Sequence, residues 1–268
     1  MTRIVVTGAA GRMGRAIIGV ITGTEGFELV GATEHGEHPS IGKDAGESAG
    51  VGKLGVKITR DFGRAIGKAD AVIDFTSPDA TMEHLEVACQ KGVPMVIGAT
   101  GLSHSQRDRM KVLGKTMSIM AAPNMSVGVN VLLKVVSDMA QILGNDYDIE
   151  IIEAHHRHKK DAPSGTALRL GEVIANSVER KLEDVAVYER HGIIGARRDD
   201  EIGIQTVRAG DIVGDHTVLF GGPGERIEVT HRAHSRDTFA SGAVRAARWI
   251  VGQPDGLYDM QDVLGLKK

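Results

Sequence analysis

Six consecutive side chains, His155-His156-Arg157-His158-Lys159-Lys160, are basic or titratable, in a chain whose 32 Lys and Arg against 35 Asp and Glu leave it at −3 overall. Such a patch wants an anion. Histidine gives or takes a proton near neutral pH, and lysine binds anions or donates a proton, so this segment offers anion binding and general acid chemistry together. Immediately downstream runs Asp161-Ala162-Pro163-Ser164-Gly165-Thr166. Ser164 is an N-cap residue type, and Gly165 and Thr166 would open a helix whose N–H groups can hold a carboxylate. One carboxylate could sit there and another near the lysine. Zinc is the competing use of His155, His156 and His158. Their spacing matches neither H-E-x-x-H nor a Cys/His finger, and Arg157, Lys159 and Lys160 would repel a cation, so no metal is assigned. A solvated basic loop is the bland reading of any charge run; the linked Pro-Ser-Gly-Thr helix start favours the anion site over it.

A second constellation opens the chain. Gly8-Ala9-Ala10-Gly11-Arg12-Met13-Gly14 follows the apolar run Ile4-Val5-Val6-Thr7 and precedes helical spacing through Met13, Ala16, Ile17 and Val20. The spacing is G-x-x-G-x-x-G, slightly different from the usual fingerprint, but the physics carries over. Small residues let the main chain approach a pyrophosphate, and the helix start offers N–H groups and partial positive charge. Glu34, 20 residues after Gly14, can accept hydrogen bonds from an adenosine ribose, so NAD is expected. His35 and Arg12 near the same pocket could also accommodate a 2′-phosphate, although His35 reads equally as an exposed loop histidine. Gly98-Ala99-Thr100-Gly101 and Ala122-Pro123-Asn124-Met125 follow further apolar runs and are candidates for the nicotinamide end, or else ordinary turns.

The elements that must position these residues fall into two kinds. Strand-like runs at Ile4–Thr7, Glu28–Thr33, Ala71–Phe75, Met95–Ile97 and Met117–Met120 alternate with helix-like segments, which implies a parallel sheet. The glycine-dense stretch from Gly36 to Gly55 reads as a mobile loop with little regular structure. Near Asn124 the character changes. A helical face over Val127–Leu143 leads to a strand at Tyr147–Ala154, the basic loop, a helix from Ser164 to about Arg180, and strands at Ile202–Arg208, Val213–Phe220 and Arg226–His234. Gly221-Gly222-Pro223-Gly224 between the last two signals a hairpin, so this part is an α+β unit with a largely antiparallel or mixed sheet. A final helix, Thr238–Ile250, could pack back on the first domain.

Composition limits the remaining options. At 268 residues, 41% hydrophobic and 25% charged, the chain is globular and supports one large or two smaller domains. The surplus of 35 glycines points to many tight turns. A charge of −3 disfavours nucleic acid and anionic membranes as partners. The single cysteine, Cys89, falls inside a helical pattern and reads as a buried structural thiol; it allows no internal disulfide and fits a reducing compartment. Met1-Thr2-Arg3 leads into the first strand without a signal-peptide core, so a cytoplasmic location is expected. The most apolar stretch, Ile119–Leu133, is interrupted by Pro123, Asn124, Ser126 and Asn130, so no transmembrane segment is expected.

The glycine turn, Val72-Ile73-Asp74-Phe75-Thr76, Asn124-Met125-Ser126-Val127-Gly128-Val129-Asn130, Glu153 to Lys159, Asp161 to Ala167 and Arg208-Ala209-Gly210-Asp211-Ile212-Val213-Gly214 together resemble the dihydrodipicolinate reductase family of bacteria and plants, also called 4-hydroxy-tetrahydrodipicolinate reductase. The likeness runs through nearly the whole chain. It implies a Rossmann-like dinucleotide-binding domain formed by residues 1–125 and 236–268, an α+β substrate-binding and tetramerisation domain over 126–235, and hinges near Asn124 and Arg236. It implies reduction of a cyclic dicarboxylate by NADH or NADPH on the diaminopimelate route to lysine, with hydride delivered to C4, a proton placed at C3 and water lost. Carried over by position, His155 is the proton donor and Lys159 its partner, while His156, Gly165 and Thr166 contact substrate carboxylates. The cofactor positions are Gly8, Ala9, Ala10, Gly11, Arg12, Met13, Glu34, His35, Gly98, Ala99, Thr100, Ala122, Pro123, Asn124 and Met125. His35 stands where members that use both cofactors often carry arginine, and Ala99 where threonine is frequent. A homotetramer is implied. Two other classes stay open on the residues alone: an oxidoreductase acting on another small anionic substrate, and a non-catalytic sensor that binds NADH without turnover.

Overall fold

A computed structural model of the chain describes residues 1–267 and divides it into two compact units, Met1–Val127 with Arg236–Lys268, and Gly128–Ser235. In the first, β1 (Thr2–Thr7) leads through the glycine turn into α1 (Arg12–Gly23) and β2 (Phe27–Thr33). Then come α2 (Ala45–Ala49), β3 (Ile58–Thr59), α3 (Phe62–Ala65), β4 (Ala71–Asp74), α4 (Pro78–Lys91), β5 (Met95–Ile97), α5 (His104–Leu113) and β6 (Ser118–Ala121). Side chains on β1 alternate between two cores, since Ile4 and Val6 pack on one face of the sheet with α1 and Val5 on the other with Leu85 of α4 and Met110 of α5. A strand covered on both faces must be apolar at every position, which is why Ile4-Val5-Val6 is continuous rather than alternating.

The second unit contains α6 (Val127–Leu143), β7 (Asp148–His155), α7 (Gly165–Ser177), α8 (Leu182–Val185), β8 (Ala186–Val187), β9 (Ile202–Arg208), β10 (Gly214–Gly222) and β11 (Glu225–Ala233). Its five strands lie in the order β11-β10-β7-β9-β8. β10 runs antiparallel to β11 and β7, while β9 runs parallel to β7 and β8, so the sheet is mixed. Ile149, Ile151, Ile204, Val218 and Phe220 face a core shared with Leu132 and Val136 of α6 and Leu170 and Ile174 of α7. The segment Val127–Asp146 is, by length and composition, apolar enough to cross a membrane, which a search for uninterrupted apolar runs does not find. Its Leu132, Val136 and Ala140 are buried in this core and Lys134 pairs with Asp138 on its surface, so one face packs on the sheet while Val131, Val135 and Ile142 stay exposed.

The chain then returns to the first unit as α9 (Asp237–Ile250), β12 (Gly256–Tyr258) and α10 (Met260–Val263). β12 pairs parallel with β6 and completes a seven-stranded parallel sheet, β12-β6-β5-β4-β1-β2-β3. The order reverses direction beside β1 and β4. That is the switch point where an open α/β sheet leaves a crevice at the carboxyl ends of its strands, here at Gly8 and at Phe75-Thr76. α9 approaches so closely that a Cβ on Gly242 would lie 1.8 Å from the Met125 carbonyl oxygen.

Two expectations are corrected. The 36–55 segment has little regular structure beyond α2, as expected, but it is fastened rather than free: the Asp44 carboxylate caps α2 at Gly46 and Glu47 and also accepts the N–H groups of Leu54 and Gly55, at 2.7–3.1 Å, tying α2 to the residues that follow it. Cys89 is half-buried rather than buried, with its Sγ 3.5 Å from Thr116 Oγ1. Gly242→Ala should destabilise the protein by about 1–3 kcal/mol, the usual range for overpacking, because the obstructing atom is backbone; equilibrium denaturation of the variant measures it.

Candidate active site

In the second unit the basic run begins where β7 ends, and the residue that organises it is two positions earlier. Glu153 is fully buried. Its Oε1 accepts from the Ser164 N–H at 3.0 Å, Thr206 Oγ1 at 3.2 Å and an Arg208 nitrogen at 2.8 Å, and its Oε2 accepts from Arg208 at 2.8 Å and lies 2.6 Å from His155 Nδ1. Burial alone would raise the carboxyl pKa, but the bonds from Arg208, His155 and the Ser164 N–H outweigh it and pull it down to about 2. The carboxylate is therefore ionised and orients His155, leaving Nε2 as the atom free to exchange a proton. Nε2 faces Gly214, where a Cβ would stand only 3.0 Å away. Burial, with help from the charges of Lys159 and Arg208, holds the His155 pKa below the ordinary imidazole value despite the opposing pull of Glu153.

Ser164 caps α7 as its residue type predicts, accepting from the Ala167 N–H at 3.2 Å. Gly165 and Thr166 form the first turn, with N–H groups at the positive end of the helix. Ser164 Oγ also contacts His216 Nε2 at 3.1 Å, and the His216 ring meets His155 edge-on at 5.2 Å. Burial, and then the proximity of His155, push the His216 pKa down to about 4, so this ring is neutral at physiological pH. Lys159 Nζ binds both oxygens of Asp161 at 2.7–2.8 Å and lies near enough to His155 to affect its titration. His156 stacks loosely against His158, 6.3 Å between centroids. The loop is pinned by the Arg157 N–H to the Gly210 carbonyl and the Ala209 N–H to the His155 carbonyl. Lys159, Gly165 and Thr166 thus lie around one carboxylate–histidine pair, Glu153 and His155. Among the described residues no three His, Cys, Asp or Glu side chains are grouped to hold a metal ion.

In the first unit each glycine of the turn has a distinct task. Gly8 has φ +61°, a conformation that side chains disfavour. Gly11 caps α1 and, as a glycine, adds no side-chain acceptor at the helix start. A Cβ on Gly14 would sit 2.2 Å from the Gly8 carbonyl oxygen and 2.7 Å from Ala9 Cα, so only glycine lets α1 begin this close. Glu34 reaches back over the turn, accepting from the Ala10 N–H at 3.0 Å and the His35 N–H at 3.1 Å. Such a cradle fits a pyrophosphate with an acidic ribose partner beside it. His35 is exposed and meets His38 edge-on at 5.1 Å, and among the described residues no hydrogen bond or ion pair joins it to Arg12. Ala99, Thr100, Ala122 and Pro123 line a common cavity of about 450 Å³, together with Tyr258 of β12. Gly98 packs so tightly under the Phe75 ring that a Cβ would fall 2.2 Å from it. Asn124 and Met125 do not line that cavity: Asn124 Oδ1 accepts the Ser126 N–H at 2.9 Å, and Met125 is buried.

Sequence reasoning assigned no role to Glu153, Arg208 or His216. Glu153 and Arg208 stand inside quoted motifs, but nothing local signals that they pair across 55 positions.

Residues 2–125 match the family described as dihydrodipicolinate reductase, N-terminus, and residues 128–264 match dihydrodipicolinate reductase, C-terminus. A 4-hydroxy-tetrahydrodipicolinate reductase of Syntrophus aciditrophicus is 53% identical over 267 residues, and one of Citrifermentans bemidjiense 54% identical, each alignment covering 100% of both chains. Among solved structures, a dipicolinate-bound dihydrodipicolinate reductase from Paenisporosarcina sp. TG-14 superposes with a TM-score of 0.76 at 26% identity, covering 98% of each chain.

Two outcomes follow from the electrostatics. In the free protein the His155 ring should titrate below the ordinary imidazole range; Glu153→Gln should lower its pKa further and Lys159→Ala raise it, read by NMR of the ring protons. His216 resists protonation down to about 4 in the folded state, whereas the unfolded chain takes the proton up near 6.5. The unfolded state then binds more protons, so stability should fall as pH drops from about 6.5 to about 4, and His216→Gln should flatten that dependence in denaturation curves.

Proposed function

The chain belongs to the dihydrodipicolinate reductase family, and from that premise we propose that it reduces 4-hydroxy-tetrahydrodipicolinate to tetrahydrodipicolinate with NADH or NADPH, on the diaminopimelate route to lysine. The observation that carries this reading is the carboxylate-oriented His155 beside Lys159 and the α7 N-terminus, a combination of proton donor and anion holder matched to a cyclic dicarboxylate. Loss of the C4 hydroxyl with a proton from the adjacent ring carbon, as water, leaves a conjugated ring, and the dihydronicotinamide, when bound, would supply a hydride to its C4. The rest falls to the chain's own groups.

One substrate carboxylate is held by the N–H groups of Gly165 and Thr166 with His156, and the other lies by Lys159. Both anions favour the imidazolium form of His155, countering the burial that depresses its pKa in the free protein. From that form Nε2–H protonates C3, while Glu153 keeps the ring in place through Nδ1. Gly8 to Met13 and Glu34 hold the pyrophosphate and ribose; Ala99, Thr100, Ala122 and Pro123 serve the nicotinamide end, and the adjoining Gly98, Asn124 and Met125 support those loops. His35 offers an imidazole where a 2′-phosphate would need a fixed cation, which supports use of NADH at least as well as NADPH. The outer face of the five-stranded sheet exposes Ile152 and Val207, a surface suited to association of copies into a homotetramer, and a cytoplasmic location fits a chain with one unpaired cysteine.

Substrate generated in place from pyruvate and aspartate semialdehyde by the preceding synthase should drive oxidation of both cofactors, monitored by nicotinamide absorbance. His155→Gln and Lys159→Ala should each lower kcat by about 10²–10⁴-fold, and near-wild-type rates in both would remove their assigned roles. The alkaline limb of kcat/KM, which reports the free protein, should lie at lower pH than the limb of kcat, since bound dicarboxylate raises the His155 pKa. His35→Arg should shift kcat/KM towards NADPH.

A further inference from the structure

The run Val72-Ile73-Asp74-Phe75-Thr76 supplies no reacting group, yet it ends β4 directly beside the glycine turn, with Asp74 in register with Thr7. Asp74 is wholly buried. Its carboxylate faces five donors. Thr7 Oγ1 at 2.7 Å and His84 Nδ1 at 2.6 Å meet Oδ2, while Thr76 Oγ1 at 2.8 Å, Thr81 Oγ1 at 2.8 Å and the Thr76 N–H at 3.1 Å meet Oδ1. The set draws on β1, the loop after β4, and α4, three elements that meet at the reversal of strand order. A carboxylate buried to this degree costs several kcal/mol unless paired and fully bonded, and burial is indeed outweighed here by His84 and Thr7, which keep the pKa low.

Three of the five donors come from Thr7 and Thr76, the residues that wall the turn. Thr7 immediately precedes Gly8 in the chain. Thr76 presents its methyl to Gly8, at 3.1 Å from where a Cβ would stand, with the Phe75 carbonyl 3.7 Å away. Because Thr76 Oγ1 is held by Asp74, the side-chain rotamer is fixed and so is the direction of the methyl. Gly8 in turn accepts the Gly11 N–H at 3.0 Å and supports the start of α1 at Gly14. A chain of contacts therefore runs from one carboxylate through Thr7 and Thr76 to the backbone that forms the pyrophosphate cradle.

We propose that Asp74 is a positioning residue for dinucleotide binding, acting through Thr7 and Thr76 to hold the glycine turn in its binding geometry without touching the cofactor. This rests on the reading that the turn holds the dinucleotide. Only an ionised carboxylate can accept from all five donors; an asparagine accepts through one oxygen and presents an NH₂ where acceptors are needed. His84 lies on the side of the carboxylate facing Phe62, whose ring it meets at 4.6 Å, and serves as an internal comparison: it bonds the same carboxylate without forming a wall of the turn.

The test uses full-length Asp74→Asn, Thr76→Val and His84→Gln. NADH affinity is read by calorimetry, dipicolinate affinity by the same method, and KM and kcat by turnover, with thermal unfolding in parallel. Thr76→Val keeps the shape of the side chain and the backbone bond to Asp74 while removing the hydroxyl bond to Asp74 and the 3.2 Å contact of that hydroxyl with Thr81 Oγ1. Asp74→Asn and Thr76→Val should weaken NADH binding and raise its KM by roughly tenfold, with kcat at saturating cofactor and dipicolinate affinity within about twofold of wild type. His84→Gln should lower the Tm while leaving NADH affinity within about twofold. Unchanged NADH affinity in Asp74→Asn and Thr76→Val, with only the Tm reduced, would overturn the proposal, as would an equal loss of affinity in all three variants. A wild-type protein that binds neither NADH nor NADPH would instead overturn the cofactor reading and this one with it.

Discussion

A single buried charge organises the second unit. Glu153 has no exposed surface, and the donors that compensate it come from β7, β9 and the start of α7. A carboxylate in that position is tolerated only while those donors converge, because removing one partner leaves an uncompensated ion in a low-dielectric interior. Strand register, helix cap and imidazole orientation are thereby tied to the same two oxygens. The His155 ring and the N-terminus of α7 are not separately adjustable; both are set by what Glu153 requires.

The first unit repeats the device. Asp74 also sits near the end of a strand, also has no exposed surface, and also collects its donors from three separate elements. In each unit the apolar core brings the elements together and a buried carboxylate then specifies their register at the end where ligands are to be met. Hydrophobic packing is nondirectional and tolerates small shifts, whereas five hydrogen bonds to one carboxylate do not.

What could be read from the chain alone follows from the range of the interactions. The glycine turn was legible because its requirements are local: Gly8, Gly11 and Gly14 answer to backbone φ, a helix cap and a close approach within seven residues. The same holds for Ser164 as the cap of α7 and for the hairpin between β10 and β11. Glu153 and Arg208 are 55 positions apart and His216 lies 52 from Ser164, so nothing in their neighbourhoods predicts that they meet. The Gly36–Gly55 segment misled for a related reason. Its glycines signal freedom, but Asp44 removes it by accepting from residues ten and eleven positions later. β12 is only three residues long and gains strand character from pairing with β6, not from its own composition.

The order of elements along the chain has a consequence for how the protein is made. The first unit lacks α9, with Ala240, Ala243, Ala247 and Ile250 of its core, and its edge strand β12, until the last part of the chain is available. The second unit, by contrast, is contiguous from Gly128 to Ser235. During synthesis from the N-terminus, the later-encoded unit is the first whose complete set of strands and helices leaves the ribosome, and the earlier-encoded one waits with a helix-sized stretch of its apolar sheet face uncovered. Nascent chains should therefore depend on chaperone protection chiefly for their N-terminal half, and premature termination near residue 236 would leave a complete second unit joined to an unclosed first one.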